Sequence, residues 1–168
     1  MTIEPDSFGV TTRILEPTNL LAVVEAAKRK GNRIVLANGC FDVLHVGHIR
    51  YLEAAKALGD VLLVAVNSDK QTRRLKGDGR PLVPQDQRAQ IVSALQAVDF
   101  VTIFDEPTVS QLLLALKPHV HAKGTDYTED TVPERDVVRS FGGLVAIVGD
   151  PKNHSSSEII DKVSESLR

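Results

Sequence analysis

The residues best suited to chemistry lie in one short stretch, residues 38–48, where His45 and His48 are three positions apart. Side chains with this spacing project to the same side of an opening helical turn. Imidazoles placed there can donate hydrogen bonds to phosphate oxygens, and they add positive charge when protonated. Gly39 and Gly47 allow the backbone to approach a ligand closely. The stretch therefore predicts an anion-binding site where a helix begins.

Two other interpretations of this stretch are open. Cys40, Asp42 and both histidines are possible zinc ligands, although their spacing matches none of the usual zinc patterns. Alternatively, the histidines only cap a helix at the surface. Two histidines with an intervening glycine at one strand-to-helix junction favour the anion site.

The surrounding sequence alternates between strand-length apolar runs and helical patterns. Runs rich in Val and Ile predict strands buried on both faces, at residues 33–37, 61–66, 100–104, 120–123 and 144–148. Helices are predicted at residues 20–30 (capped by Thr18 or Asn19), 47–58, 85–97, 108–117, 133–141 and 156–167. This order predicts a doubly wound α/β fold: a five-stranded parallel sheet with an N-terminal helix. Ligands of such sheets bind beyond the carboxyl ends of the strands, where residues 38–48 begin.

Length and composition narrow the class of protein. A chain of 168 residues, 42% hydrophobic and 25% charged, fits one domain, predicted at residues 18–168 after an arm of residues 1–17. A net charge of −2 argues against nucleic-acid binding, and a lone cysteine excludes an intramolecular disulfide. The apolar runs are far shorter than the ~20 residues of a membrane helix, and the N-terminus lacks a signal-peptide pattern. We therefore expect a cytoplasmic protein that binds neither nucleic acid nor membrane.

Asn38-Gly39-Cys40-Phe41-Asp42, followed by His-Val-Gly-His at residues 45–48, resembles the signature of the cytidylyltransferase-like nucleotidyltransferase superfamily. Further segments, in the family's order, resemble the adenylyltransferase domain of ADP-heptose synthases: residues 64–69, 74–77, 80–81, 87–88, 98–99, 123–127 and 155–160. The resemblance implies a Rossmann-like fold and transfer of AMP from ATP to D-glycero-β-D-manno-heptose 1-phosphate. The products would be pyrophosphate and ADP-heptose for lipopolysaccharide or a related surface glycan, formed by direct in-line displacement.

The resemblance also implies roles for particular residues. The catalytic residues would be His45, His48 and Lys76. The ATP-binding residues would be Gly39, Cys40, Phe41, Asp42, Gly47, Arg88, Lys123, Gly124, Asp126, Ser155, Ser156 and Ser157. Arg80 would meet the sugar phosphate. Mg²⁺ would accompany ATP, held mostly by phosphate oxygens and water, with no side chain assigned to it.

Some of these roles also have a physical argument of their own. Lys76 lies in a long polar connection, residues 70–83, and is flanked by Gly77 and Gly79, which fits a mobile cation over a triphosphate. Hydroxyls at residues 155–157 precede the last helix, and a helix N-terminus attracts anions. The alternatives are a solvated lysine and a plain serine N-cap supported by Glu158. The turn at Gly124 and Asp126 can likewise form without a ligand.

Two other functions are open at this point. The same fold could act on other substrates, such as CTP with glycerol 3-phosphate or ATP with FMN. The chain could also be a nucleotide-binding domain without catalysis. The resemblance implies a homodimer. Because this domain is often fused to a sugar kinase and 168 residues leave no room for one, we expect a separately encoded kinase to supply the 1-phosphate.

Overall fold

The computed structural model describes residues 13–151 and 155–166. Within them the helices are α1 (Pro17–Arg29), α2 (Val46–Lys56), α3 (Asp69–Lys76), α4 (Gln85–Ser93), α5 (Ser110–Leu116), α6 (Arg135–Ser140) and α7 (Ser156–Ser166). The strands are β1 (Ile34–Gly39), β2 (Val61–Asn67), β3 (Phe100–Phe104), β4 (Val120–Lys123) and β5 (Leu144–Ile147). A short 3-10 turn, Glu129–Thr131, precedes α6.

The described strands form one parallel sheet in the order β3-β2-β1-β4-β5, which confirms the predicted fold class. Their apolar runs reflect burial on both faces of the sheet. The chain order changes direction between β1 and β4, where Ala37 pairs with Ala122. The next residues, Asn38 and Lys123, therefore lie side by side at the carboxyl ends of adjacent strands. Open α/β sheets bind their ligands at such a switch point.

Helices cover the two faces of the sheet in separate layers. On one face, α2 and α4 bury Leu52, Ala55 and Val92 against the strands. On the other face lie α1, α5 and α6, from which Leu20 and Leu113 are buried. Fully burying a Leu or Val side chain contributes roughly 1.5–3 kcal/mol, so these two layers hold the strand ends in place.

Several predicted element boundaries are wrong. Helix α1 begins at Pro17 with Glu16 at the N-cap and no side-chain cap, because proline suits the first helical position and neither Thr18 nor Asn19 is needed there. Strand β1 extends beyond residue 37 to Gly39. The first half of the predicted connection at residues 70–83 is helical, because α3 runs to Lys76; Ser68 caps this helix by accepting a hydrogen bond from Gln71 N.

The described part of the predicted N-terminal arm is attached to the sheet. Ile14 bridges Val101 on the edge strand β3, and Leu15 N donates to Val101 O at 2.8 Å. Residues 1–12 lie outside the described part of the chain. Among the described helices, none is long and apolar enough to cross a membrane.

Candidate active site

A cavity of about 590 Å³ opens at the carboxyl ends of β1 and β4. Its lining contains every predicted site residue except Arg88 and Ser157. Residues separated by more than a hundred positions, such as Asn38 and Ser155, meet there because the parallel strands all end at the same edge.

His45 and His48 form the N-terminal cap of α2. His45 is the N-cap residue, and its Nδ1 accepts from Gly47 N at 3.1 Å. His48 Nδ1 accepts from His45 N at 3.3 Å. A ring nitrogen that accepts carries no proton, so each neutral imidazole keeps its proton on Nε2. The ring centroids are 3.9 Å apart, and the pair therefore supplies two adjacent N–H donors.

His48 is uncharged at neutral pH. Burial, together with the neighbouring His45 and the positive charge of Lys76, lowers the pKa of His48 from 6.5 to about 4. His48 can thus donate a hydrogen bond at neutral pH without adding positive charge.

Phe41 packs against His48. It has φ of +50°, a left-handed backbone conformation that is uncommon outside glycine, and it is buried. Its ring centroid lies 5.4 Å from that of His48. A Cβ added at Gly39 would lie 3.1 Å from the Phe41 ring, so the glycine makes room for this packing.

Asp42 anchors the segment that follows α3. Its side chain is 1% exposed, pairs with Arg80 Nε, and accepts from Leu82 N at 2.7 Å and Val83 N at 3.0 Å. Within the described residues no other nitrogen of Arg80 has a hydrogen-bond partner, so its terminal nitrogens can reach a ligand. Asp42 thus positions the segment and with it Arg80.

Arg88 lies beneath the cavity, with no exposed surface. Its Nη1 donates to Cys40 O at 2.5 Å and to Asn67 O at 2.8 Å, which joins the ends of β1 and β2. Its Nη2 pairs with Asp69 Oδ1 at 2.7 Å. A direct nucleotide contact would require Arg88 to leave these partners, so the geometry favours a positioning role over the predicted contact.

Lys76 is the last residue of α3 and is exposed at the cavity. Within the described residues it has no hydrogen bond or ion pair. Gly77 and Gly79 follow with φ of +92° and +80°, which side chains rarely adopt. The lysine therefore sits where the helix gives way to a glycine-containing turn and can move toward an anion.

The floor of the cavity is a buried polar cluster at the ends of β1 and β4. Lys123 Nζ donates to Asn38 Oδ1 at 3.3 Å, lies 4.5 Å from the Tyr127 ring centre, and is 3.9 Å from Glu134 Oε2. His121 Nε2 contacts the same Asn38 oxygen at 3.1 Å. Burial lowers the pKa of Lys123, and Glu134 opposes that shift. Burial and the charge of Lys123 lower the pKa of His121 to about 3.

Sequence reasoning missed Asn38 and Glu134 as lining residues. Asn38 lies in the stretch of residues 38–48, and its place at a strand end is a signal that could identify it. Glu134 follows a proline before a short helix, and nothing in its local pattern distinguishes it from a solvent-exposed acid.

The N-terminus of α7 also lines the cavity, through Ser155 and Ser156. Ser155 Oγ accepts from Glu158 N at 3.1 Å, and Glu158 Oε2 accepts from Ser155 N at 3.2 Å, which is a capping box. Ser156 Oγ donates to Val43 O at 2.9 Å. Ser157 is exposed and lies outside the lining.

The candidate zinc ligands do not form a metal site. Cys40 and Asp42 lie near the histidines in the chain, but the described residues include no group of three or more His, Cys, Asp or Glu placed to hold a metal ion.

A parallel sheet, paired histidines at a helix N-terminus and a polar cavity at the switch point together define the class of protein as a nucleotide-handling α/β enzyme. Residues 36–162 match the family model described as cytidylyltransferase-like, so the chain belongs to that family and is a nucleotidyltransferase.

Among curated relatives, "Bifunctional protein HldE" of Pelobacter propionicus is 49% identical over 146 residues, which is 87% of this chain and 30% of that protein. The protein of the same name from Geobacter metallireducens is 50% identical over 144 residues, 86% of this chain and 29% of that protein. The chain therefore spans about 30% of the length of these relatives.

Two solved structures share the fold. The lipopolysaccharide core biosynthesis protein from Thermoplasma volcanium is 32% identical with a TM-score of 0.61, covering 70% of this chain and 95% of that one. Pantoate-beta-alanine ligase from Francisella tularensis, 20% identical with a TM-score of 0.61, covers 92% of this chain and 78% of that one. At 20% identity the second likeness concerns the fold alone.

Proposed function

We propose that this nucleotidyltransferase transfers AMP from ATP to D-glycero-β-D-manno-heptose 1-phosphate, which forms ADP-heptose and releases pyrophosphate. The observation that carries the proposal is the placement of His45 and His48, held by their own helix cap, at the cavity between β1 and β4. The identity to proteins named HldE supports the choice of acceptor.

In this proposal the triphosphate of ATP lies across the N-termini of α2 and α7. His45 and His48 donate to phosphate oxygens, and Lys76 approaches from the end of α3 as a point charge. Ser155 and Ser156 contact the β- and γ-phosphates. The nucleoside lies near Lys123, Gly124 and Asp126. Lys123 is held there by Asn38.

The reaction requires no protein nucleophile. A phosphate oxygen of the sugar 1-phosphate attacks the α-phosphorus of ATP in line, the bond to the β-phosphate oxygen breaks, and pyrophosphate leaves with the electron pair. The chain aligns the two anions and stabilises the charge that develops on the transferring group. Arg80, held by Asp42, is placed to meet the acceptor phosphate. Arg88 acts indirectly, since it fixes the Cys40 and Asn67 carbonyl groups at the ends of β1 and β2.

Nucleotidyl transfer from ATP generally uses a divalent metal ion, here proposed as Mg²⁺, which neutralises phosphate charge when bound. Phosphate oxygens and water would be its main ligands, because the described residues around the cavity include no ready-made ligand cluster.

The decisive experiment measures pyrophosphate release from ATP or CTP with either heptose 1-phosphate or glycerol 3-phosphate. We expect the fastest release with ATP and heptose 1-phosphate, and only background release from a His48→Ala variant. A preference for CTP with glycerol 3-phosphate would overturn the proposed substrates. The proposal also requires a kinase activity that supplies the sugar 1-phosphate. That the protein forms a homodimer stays a prediction, which sedimentation analysis can test.

A further inference from the structure

The cavity extends onto both faces of the sheet, and the proposed nucleotide contacts use mainly one of them. His45, His48 and the N-terminus of α7 lie on the face that α2 covers. The opposite part of the lining includes Phe104, Val109 and Glu134, next to the helices α5 and α6. The proposed contacts to the triphosphate do not use these residues.

Glu134 is the unusual group in this part of the lining. Its side chain is 6% exposed, and its Oε2 is buried without a hydrogen-bond partner. Lys123 Nζ lies 3.9 Å from that oxygen, which is beyond hydrogen-bond distance. Within the described residues, no hydrogen-bond donor reaches Oε2. A buried carboxylate oxygen without a hydrogen bond is costly, so its place at a cavity wall calls for a donor supplied from outside the chain.

We infer that Glu134 accepts a hydrogen bond from a hydroxyl group of the acceptor sugar and is a specificity-determining residue for that substrate. The inference rests on the proposed function, because it requires a polyhydroxylated acceptor. An ionised carboxylate can only accept, and it repels phosphate groups. The neutral, hydroxyl-bearing part of the acceptor is therefore the part that faces Glu134.

Lys123 complements this arrangement. Its ammonium group has three donors, and within the described residues one of them is directed at Asn38. In the proposed function its other donors serve the nucleoside, so the acceptor hydroxyl is assigned to Glu134 alone. Sites built to hydrogen-bond a hydroxyl strongly reject analogues that lack it, because the buried polar group is then left unpaired.

The test compares wild-type protein with Glu134→Gln and Glu134→Asp by pyrophosphate release. KM is measured for ATP and for three acceptors: heptose 1-phosphate, β-D-mannose 1-phosphate and glycerol 3-phosphate. Because a neutral amide is a weaker acceptor than a carboxylate, Glu134→Gln should raise KM for the sugar acceptor about tenfold or more, with KM for ATP changed less than twofold. On monodeoxy analogues of the preferred acceptor, the penalty should vanish for the one that lacks the contacted hydroxyl.

Glu129→Gln is the matched control, since Glu129 precedes the same helix and pairs with Arg139 at the surface at 2.9 Å. It should leave both KM values within twofold. If Glu134→Gln does not fold, as judged by its melting curve, Glu134→Asp gives the same test. The shorter side chain keeps the carboxylate but moves it away from the acceptor by the length of one methylene group.

Two results would overturn the inference: an unchanged KM for the acceptor, or an equal rise in KM for ATP, which is expected if Glu134 only balances the charge of Lys123. Failure of the proposed function is seen separately, in the wild-type protein. If that protein prefers another acceptor of the panel, the heptose proposal falls and Glu134 is tested on the preferred acceptor. No turnover with any acceptor overturns both.

Discussion

The N-termini of α2 and α7 line the same cavity and are capped in the same way, but the capping side chains differ in chemistry. In both, the N-cap side chain accepts a backbone N–H, and the side chain three residues later accepts the N–H of the N-cap residue. At α2 the capping groups are imidazoles, which accept with Nδ1 and keep an N–H donor on Nε2. At α7 they are Ser155 and Glu158, and the cap brings a carboxylate to the helix N-terminus.

The N-terminus of α2 is therefore preorganised to bind an anion, whereas the cap of α7 must rearrange before an anion can bind there. Helix α2 has no acidic residue in its first turn, so its dipole and its two imidazole donors act together on an anion. The first turn of α7 already contains the negative charge of Glu158, and the Ser156 hydroxyl already donates to Val43 O. We therefore expect α2 to contribute to the chemical step, and α7 to contribute to binding after its cap has opened.

The largest expected effect is at α2. His48→Ala removes one of the two fixed donors and should lower kcat about a hundredfold, the usual size for loss of one such donor. Ile49→Ala, on the next, exposed position of the same helix, should leave kcat within twofold. Melting curves should show that both variants fold. A normal kcat for a folded His48→Ala variant would contradict the catalytic role of this cap.

At α7 we expect a smaller effect, confined to binding. Replacing Ser155 and Ser156 together by Ala should raise the dissociation constant of ATP about tenfold. Two hydrogen bonds to a charged group contribute about 1.5–3 kcal/mol each. The expected effect is smaller than their sum because the Ser156 hydroxyl already has a partner in the protein. AMP, which lacks the β- and γ-phosphates, should bind as before in calorimetry. Ser157→Ala, outside the lining, serves as the control. Equal weakening for ATP and AMP would falsify the phosphate contacts and leave only a capping role.

Glu158→Gln tests whether the α7 cap competes with the triphosphate. Removing the carboxylate charge should tighten ATP binding about two- to fivefold, with AMP affected less, since repulsion between like charges near the surface is modest. Loss of a favourable helix-dipole interaction should at the same time lower the free energy of unfolding by about 0.3–1 kcal/mol. Glu165→Gln, in the last turn of α7, is the control. Weaker ATP binding would show that Glu158 does not compete.

The smallest expected effect concerns pH. Because the pKa of His48 is lowered to about 4, the side chain stays neutral as pH falls from 8 to 6, so its titration should change turnover less than twofold there. NMR titration should locate the protonation step near pH 4. Lys76→Met removes a positive charge that lowers this pKa, so the titration should move upward, while burial, the larger cause, keeps it below 6.5. Lys70→Met, at the other end of α3 and paired with Asp105, should not move it. Titration of His48 near 6.5 in the wild-type protein would contradict a neutral donor.

The sheet and the location of the site could be predicted from the sequence because both depend on local patterns. Strands buried on both faces need nearly continuous apolar runs, and β3 and β4 have the predicted bounds. The histidine pair could be placed at a helix start because three-residue spacing and helix capping are local properties. Helix ends were predicted less well, since they depend on packing as well as on capping residues, as at Ser93 of α4.

The sequence by itself determined the α/β alternation, the strand-to-helix junction at residues 38–48 and the family resemblance. Only the tertiary structure decided which charged side chains face the cavity and which hold it together. Arg88 and Asp42 belong to segments that resemble a binding motif. In the structure both side chains bind protein groups instead, and these partners lie up to 48 positions away in the chain. Glu134 had no local signal, because its burial beside Lys123 depends on a contact between the start of α6 and the end of β4. Burial and charge pairing depend on such distant contacts, and they set the direction and protonation of these groups.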